Sequence, residues 1–121
     1  MMENKLKLGL VGSGFIGQVA HLMNYDKLKN IEIIGLAELR PKLGELVCNR
    51  YGIPKYYPNH KALLDDPDIE AIIAVVRRKH TAAVAFDILE KGFHLFTEKP
   101  MAPTVEQGKK LVDLSKRNNC N

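Results

Sequence analysis

The chain has 121 residues, 45% hydrophobic and 26% charged, which suffices for one compact domain and is too short for two ordinary ones. Its net charge of +4 allows anionic ligands, but the basic residues are dispersed, the tightest cluster is Arg77-Arg78-Lys79-His80, and there is no Trp, which argues against nucleic acid as a partner. No apolar run approaches the roughly 20 residues of a membrane helix, the N-terminus lacks the apolar core of a secretory signal, and Cys48, Cys120 and the four histidines fit no disulfide framework or zinc spacing, so the expectation is a cytoplasmic domain with no metal centre and no membrane partner.

Strand and helix signals alternate along the whole chain. Residues 6–11 (LKLGLV) read as a buried strand. Residues 15–28 read as a helix with Ile16, Val19, Ala20 and Met23 on one face. Residues 31–37 (IEIIGLA) are a second strand, rich in β-branched residues. A helix over 41–51 follows, with Pro41 in its first turn and Gly52 as its stop. Residues 54–57 are a short third strand, and 59–66 a short helix with Asn59 as N-cap. Residues 69–76 (IEAIIAVV) form a nearly continuous apolar run, which predicts a strand buried on both faces. A helix over 81–91, with Ala82, Ala85 and Leu89 on one stripe, ends at Gly92. Residues 94–97 are a fifth strand, and 104–117 a helix opened by the capping pair Thr104 and Gln107. Strands separated by helices predict crossover connections, and hence a doubly wound α/β fold with a parallel sheet of about five strands. Such sheets bind ligands at the carboxyl ends of their strands, where strand order reverses.

Two stretches carry chemistry. Gly12-Ser13-Gly14-Phe15-Ile16-Gly17 fits G-x-G-x-x-G, follows a strand, and opens a helix. Gly12 suits a tight turn, Gly14 the approach of a pyrophosphate to the main chain, and Gly17 close packing of helix on strand. The helix N-terminus offers free N–H groups to phosphate. Glu38, at the end of the second strand, is placed to accept hydrogen bonds from the adenine ribose, which favours NAD. Arg40 is placed to pair with a 2′-phosphate, which leaves NADP open. The plainer reading is that the glycines only shape a turn and Glu38 is a solvated acid. In the second stretch, residues 96–107 (FTEKPMAPTVEQ), a strand ends directly in Glu98-Lys99-Pro100. That sets a lysine on the same rim as the glycine loop, where it could hold a substrate oxygen and carry its proton. A simple strand exit with an exposed lysine is the alternative.

With "GLVGSGFIGQVAH", the acidic end of "IIGLAEL", "YGIPKYYPNHKALLDDPDIEAII" and "GFHLFTEKPMAPTVEQGKKL", the sequence resembles the N-terminal Rossmann domain of the Gfo/Idh/MocA oxidoreductases, the glucose-fructose oxidoreductase and inositol dehydrogenase family. The resemblance covers essentially all of residues 1–121. It implies an NAD(P)-dependent oxidoreductase acting on sugars, cyclitols or related hydroxy compounds. It implies Lys99 as the catalytic residue, with its peptide bond to Pro100 commonly cis. The implied cofactor contacts are Gly12, Ser13, Gly14, Phe15, Ile16, Gly17, Glu38, Arg40, Val76, Arg77, Glu98 and Lys99. The family usually reads Thr-Pro-Asn after the fourth strand, with a His three residues on. Here Val76-Arg77-Arg78 stands there and Thr81 takes the His position, so His80 is left without a role. Arg77 and Arg78 would favour an anionic substrate, neutralise cofactor phosphate, or form a solvated turn. His21 matches a His often seen in the family's first helix, and is assigned no catalytic part. The family's substrate domain has no counterpart in these residues, so the expectation is a domain that binds cofactor and turns over poorly. An unpaired edge on the fifth strand would invite homo-oligomers. A non-catalytic NAD(H) sensor or protein-interaction module is the competing reading.

Overall fold

The computed structural model describes residues 4–121. Five strands, β1 (Leu6–Val11), β2 (Ile31–Ala37), β3 (Lys55–Tyr57), β4 (Ala71–Ala74) and β5 (His94–Thr97), form one sheet in the order β3-β2-β1-β4-β5. Every neighbouring pair is parallel. The doubly wound arrangement expected from the alternating pattern is therefore observed. Strand order reverses between β1 and β4, so their carboxyl ends flank the crevice where such sheets bind ligands.

Helices cover both faces. The first, α1, is wound as a π-helix over Gly17–Leu22 and closes as an α-helical turn over Met23–Tyr25. With α2 (Pro41–Tyr51) it buries Leu22, Val47 and Cys48 against Leu8, Leu10, Leu36 and Ile73. On the opposite face α3 (His60–Leu63) and α4 (Arg78–Glu90) bury Leu63, Val84 and Ile88 against Val11, Ile34 and Ile72. The adjacent residues Ile72 and Ile73 thus enter different cores, which is why β4 is apolar without alternation. The last helix, α5 (Val105–Arg117), packs Leu111 on Ala85 and Leu89 of α4. Full burial of a leucine such as Leu10 or Leu36 is worth about 1.5–3 kcal/mol.

The caps behave as their residue types require. Asn59 accepts from the Ala62 N–H at 2.8 Å, and Thr104 accepts from the Gln107 N–H at 3.1 Å. Gly52 ends α2 in the left-handed conformation, φ 66°. Three helices depart from expectation, the first being α3, which ends at Leu63 rather than at 66. In α1 the buried residues are Gly17, His21 and Leu22, while Ile16, Val19 and Met23 are each 46% exposed. A π-wound segment bonds i to i+5, so a stripe counted at 3.6 residues per turn drifts off the buried face. Helix α4 begins at Arg78, three residues before the expected start, because the His80 N–H reaches the Arg77 carbonyl at 2.8 Å and closes a first turn. Arg78, Lys79 and His80 are therefore helical rather than part of a turn. At the far edge, Asn121 pairs with β5 through the Leu95 N–H at 2.8 Å, which satisfies part of that strand's outer side. Among the described residues, no helix is long and apolar enough to cross a membrane.

The three-residue strand β3 is held by a buried acid. Asp66 accepts from Tyr57 Oη at 2.6 Å, from Lys55 Nζ at 3.0 Å and from the Asp68 N–H at 2.9 Å. Burial opposes its ionisation, but these three donors outweigh it and hold the carboxyl below its ordinary value of 3.8. A carboxyl more acidic in the folded state stabilises the fold fully above its unfolded value, and that contribution is lost as pH falls through the folded value. Asp66→Asn is expected to cost about 2 kcal/mol in urea unfolding at neutral pH. It should also flatten the loss of stability below pH 3.8 relative to wild type.

Candidate functional site

The turn after β1 is built by close backbone contact. Gly12 has φ +93°, and a Cβ there would collide with the Val75 carbonyl oxygen beyond β4. A Cβ on Gly17 would sit 2.8 Å from the Gly12 carbonyl oxygen. Glycine at both positions lets the chain reverse tightly and lets α1 press onto the β1–β4 junction. Gly14 differs. The nearest atom to a Cβ there is Arg40 Nη2 at 3.9 Å, so neither fold nor neighbour demands glycine. The first helical donor of α1 is Gln18, whose N–H meets the Gly14 carbonyl at 3.0 Å. The amides of Gly14, Phe15 and Ile16 precede it without intrahelical acceptors. Phe15 is 76% exposed.

Glu38 lies one residue past β2, and its carboxylate is buried. Oε2 accepts from the Ser13 N–H at 2.9 Å and from Ser13 Oγ at 3.0 Å. Oε1 accepts from Arg40 Nε at 2.7 Å. Burial raises the carboxyl's pKa, but Arg40 and the two Ser13 donors more than offset it, leaving Glu38 more acidic than usual. Arg40 itself is largely exposed. Tyr56 Oη donates to the Glu38 carbonyl at 2.7 Å, which anchors the residue from the other side.

Across the crevice, Val76 is half-buried and Arg77 exposed at the start of α4. Glu98 follows β5, and its N–H donates to the Ala74 carbonyl at 3.3 Å. Lys99 is exposed, and among the described residues its ammonium makes no ion pair or hydrogen bond. The Lys99–Pro100 peptide is cis. A cleft of about 730 Å³ opens between the first turn of α4, with Arg77, Arg78 and Lys79, and the start of α5, with Pro103 and Gln107. It borders the β4 end but includes neither the glycine loop nor Lys99.

The structure thus gathers the glycine loop, Glu38 and Arg40 at the ends of β1 and β2, and Val76, Arg77, Glu98 and Lys99 at the ends of β4 and β5. Sequence reasoning missed that Ser13 is fully buried and turned toward Glu38 rather than outward. A serine between two motif glycines, where any residue fits the pattern, was the available signal. His60 and His94 lie outside this region, bonded to Asp87 and to the Asn121 amide. His21 does not, since it is bonded to Glu98 at the end of β5.

A parallel sheet with a glycine turn at the point of strand reversal and an acid closing the second strand defines the Rossmann class. Within that class, residues 6–121 match the model described as "Oxidoreductase family, NAD-binding Rossmann fold", and the chain belongs to this Gfo/Idh/MocA family. It is 32% identical over 113 residues to inositol 2-dehydrogenase/D-chiro-inositol 3-dehydrogenase of Lacticaseibacillus casei, covering 89% of this chain and 32% of that protein. It is 33% identical over 129 residues to levoglucosan dehydrogenase of Pseudarthrobacter phenanthrenivorans, covering 98% and 32%. The chain spans about a third of the length of these relatives. A dehydrogenase structure from Clostridium difficile superposes with TM-score 0.88 at 28% identity, over 96% of this chain and 37% of that one. A 3-ketoreductase from Actinomadura kijaniata reaches TM-score 0.92 at 20% identity, over 97% and 36%, and shares the fold.

Gly12→Ala combines a strained φ with a backbone collision and is expected to cost about 3 kcal/mol or more in denaturant unfolding. Gly14→Ala, with open space around its Cβ, should stay within about 0.5 kcal/mol of wild type.

Proposed function

We propose that the chain is the dinucleotide-binding domain of an oxidoreductase that transfers a hydride between NAD(P) and a sugar, cyclitol or related hydroxy compound. The observation that carries this reading is the open approach to Gly14. Its nearest neighbour is the exposed Arg40 guanidinium at 3.9 Å, so the glycine there serves a group that comes from outside the chain. The amides of Gly14, Phe15 and Ile16 and the positive end of α1 suit a diphosphate. Glu38 and Arg40 would meet the adenine ribose, and Val76, Arg77, Glu98 and Lys99 the nicotinamide end. Adjacent strands lie about 4.8 Å apart, so β2 and β5 are separated by roughly 14 Å, a span suited to an extended dinucleotide.

When bound, the nicotinamide ring supplies the hydride acceptor or donor. The protein's part is to orient it and to manage the proton. Lys99, exposed beside the crevice, is assigned to hold the substrate oxygen and carry its proton. The substrate class follows the two relatives named above, which are dehydrogenases of a cyclitol and an anhydrosugar.

Arg40 is assigned the choice of cofactor. It covers one oxygen of Glu38, which masks the charge that would repel a 2′-phosphate, and its guanidinium reaches the edge of Gly14. Both NAD and NADP are therefore expected to bind, and Arg40→Ala should weaken NADPH about tenfold while leaving NADH within about twofold.

The deciding measurement is calorimetric titration of the chain with NADH and NADPH. Wild type should bind, and Gly14→Ala should weaken NADH at least about tenfold without loss of stability, since a methyl group would hold the diphosphate off the main chain. No binding by wild type, or equal binding by the alanine variant, would refute the reading.

A further inference from the structure

The glycine motif does not explain His21. It is one turn past Gly17 on α1, and it is 5% exposed. Its Nε2 lies 2.9 Å from Glu98 Oε1, and its Nδ1 lies 3.1 Å from Tyr25 Oη. Its ring meets Phe96 edge-on, with centroids 6.0 Å apart and planes at 67°. A leucine would fill this space at less cost, because an imidazole taken from water must have both nitrogens paired. Here both are paired, and the partner of Nε2 lies 77 residues away, beyond β5 on the far side of the reversal crevice.

Glu98 extends the connection. Its Oε2 accepts from the Lys99 N–H at 3.3 Å. The His21 hydrogen bond, and after it the Lys99 amide, hold the Glu98 carboxyl below its ordinary value of 4.5. An ionised Glu98 accepts at Oε1, which makes Nε2 of His21 the donor and leaves Nδ1 to Tyr25. Tyr25 is also kept protonated, first by burial and then by the Glu98 charge, so its hydroxyl remains available. The path runs from α1 through Glu98 to the main chain of Lys99.

We propose that His21 is the positioning residue for Lys99, fixing through Glu98 the distance between the helix that cradles the diphosphate and the lysine that meets the substrate. The role given to Lys99 rests on the function proposed above. The connection from His21 to the Lys99 backbone does not, and it can be tested without cofactor.

The test compares wild type with His21→Leu and His21→Gln by NMR on the chain without ligand. A glutamine amide can place a donor near the position of Nε2, whereas leucine keeps the bulk and removes the donor. The readouts are the acid titration of the Glu98 carboxyl and of the Lys99 amide resonance. In wild type both should follow one transition below 4.5. In His21→Leu the transition should move up toward 4.5, and the Lys99 amide should exchange with solvent about tenfold faster, as loss of a charge-assisted anchor implies. His21→Gln should restore most of both. A residue that only fills the core would give the same Glu98 and Lys99 behaviour in all three proteins, and that result overturns the proposal. If His21→Leu does not fold, Glu98→Gln takes its place. It should speed exchange at Lys99 while the amides of α1 stay protected, and an unchanged Lys99 amide would overturn the proposal equally. A subsequent NADH titration separates the two readings. Absence of binding in wild type would remove the cofactor reading and leave the His21 result standing.

Discussion

The architecture of the site depends on one contact between bare backbones, where Gly12 lies against the Val75 carbonyl. That contact joins the ends of β1 and β4, the two strands between which the sheet reverses. No side chain fits between them, so the turn after β1 stays tight and α1 starts directly over the crevice. The Gly12 N–H bonds the Ala37 carbonyl at 2.8 Å and the Val75 N–H bonds the Val11 carbonyl at 2.8 Å. The same few residues therefore fix β2, β1 and β4 relative to one another. Everything the crevice offers, from the amides at the start of α1 to Glu38 and Arg77, takes its position from this junction.

The fold was largely legible in the sequence because its signals are local. Apolar runs, glycine stops and the caps at Asn59 and Thr104 report the strands and helices directly, and β4 declared its burial on both faces by lacking alternation. The buried face of α1 was not legible. Its hydrophobic residues mark an ordinary helix, but the backbone winds as a π-helix and turns His21 inward while Val19 and Met23 stay half-exposed. The start of α4 at Arg78 is hidden because a run of basic residues after a strand looks like a loop. Arg and Lys are good helix formers, however, and Thr81 adds a bond from Oγ1 to the Arg77 carbonyl at 3.3 Å.

Candidate site residues were legible by type and position, and their internal partners were not. Glu38 stood out as an acid closing a strand, and the natural expectation was a carboxylate facing a ligand. In the structure both of its oxygens already have donors within the protein, from Ser13 and Arg40. These partners are 25 residues before it and two after, and only the fold makes them equivalent neighbours. The bond between His21 and Glu98 is longer-range still, and no periodicity encodes it.

Glu38 and Glu98 turn out to be used in the same way. Each follows a strand at the carboxyl edge. Each gives one oxygen to the backbone N–H of a loop at the crevice, Ser13 in one case and Lys99 in the other. Each gives its second oxygen to a nitrogen side chain, Arg40 Nε or His21 Nε2. Both carboxyls are consequently more acidic than usual and remain charged near neutral pH. A rim meant for an anionic ligand would be poorly served by two free carboxylates. Paired internally, they hold the glycine loop and the lysine loop in place while exposed cations, Arg40, Arg77 and Lys99, set the charge that the crevice presents outward. The acids act on the backbone and the bases act on the solvent side.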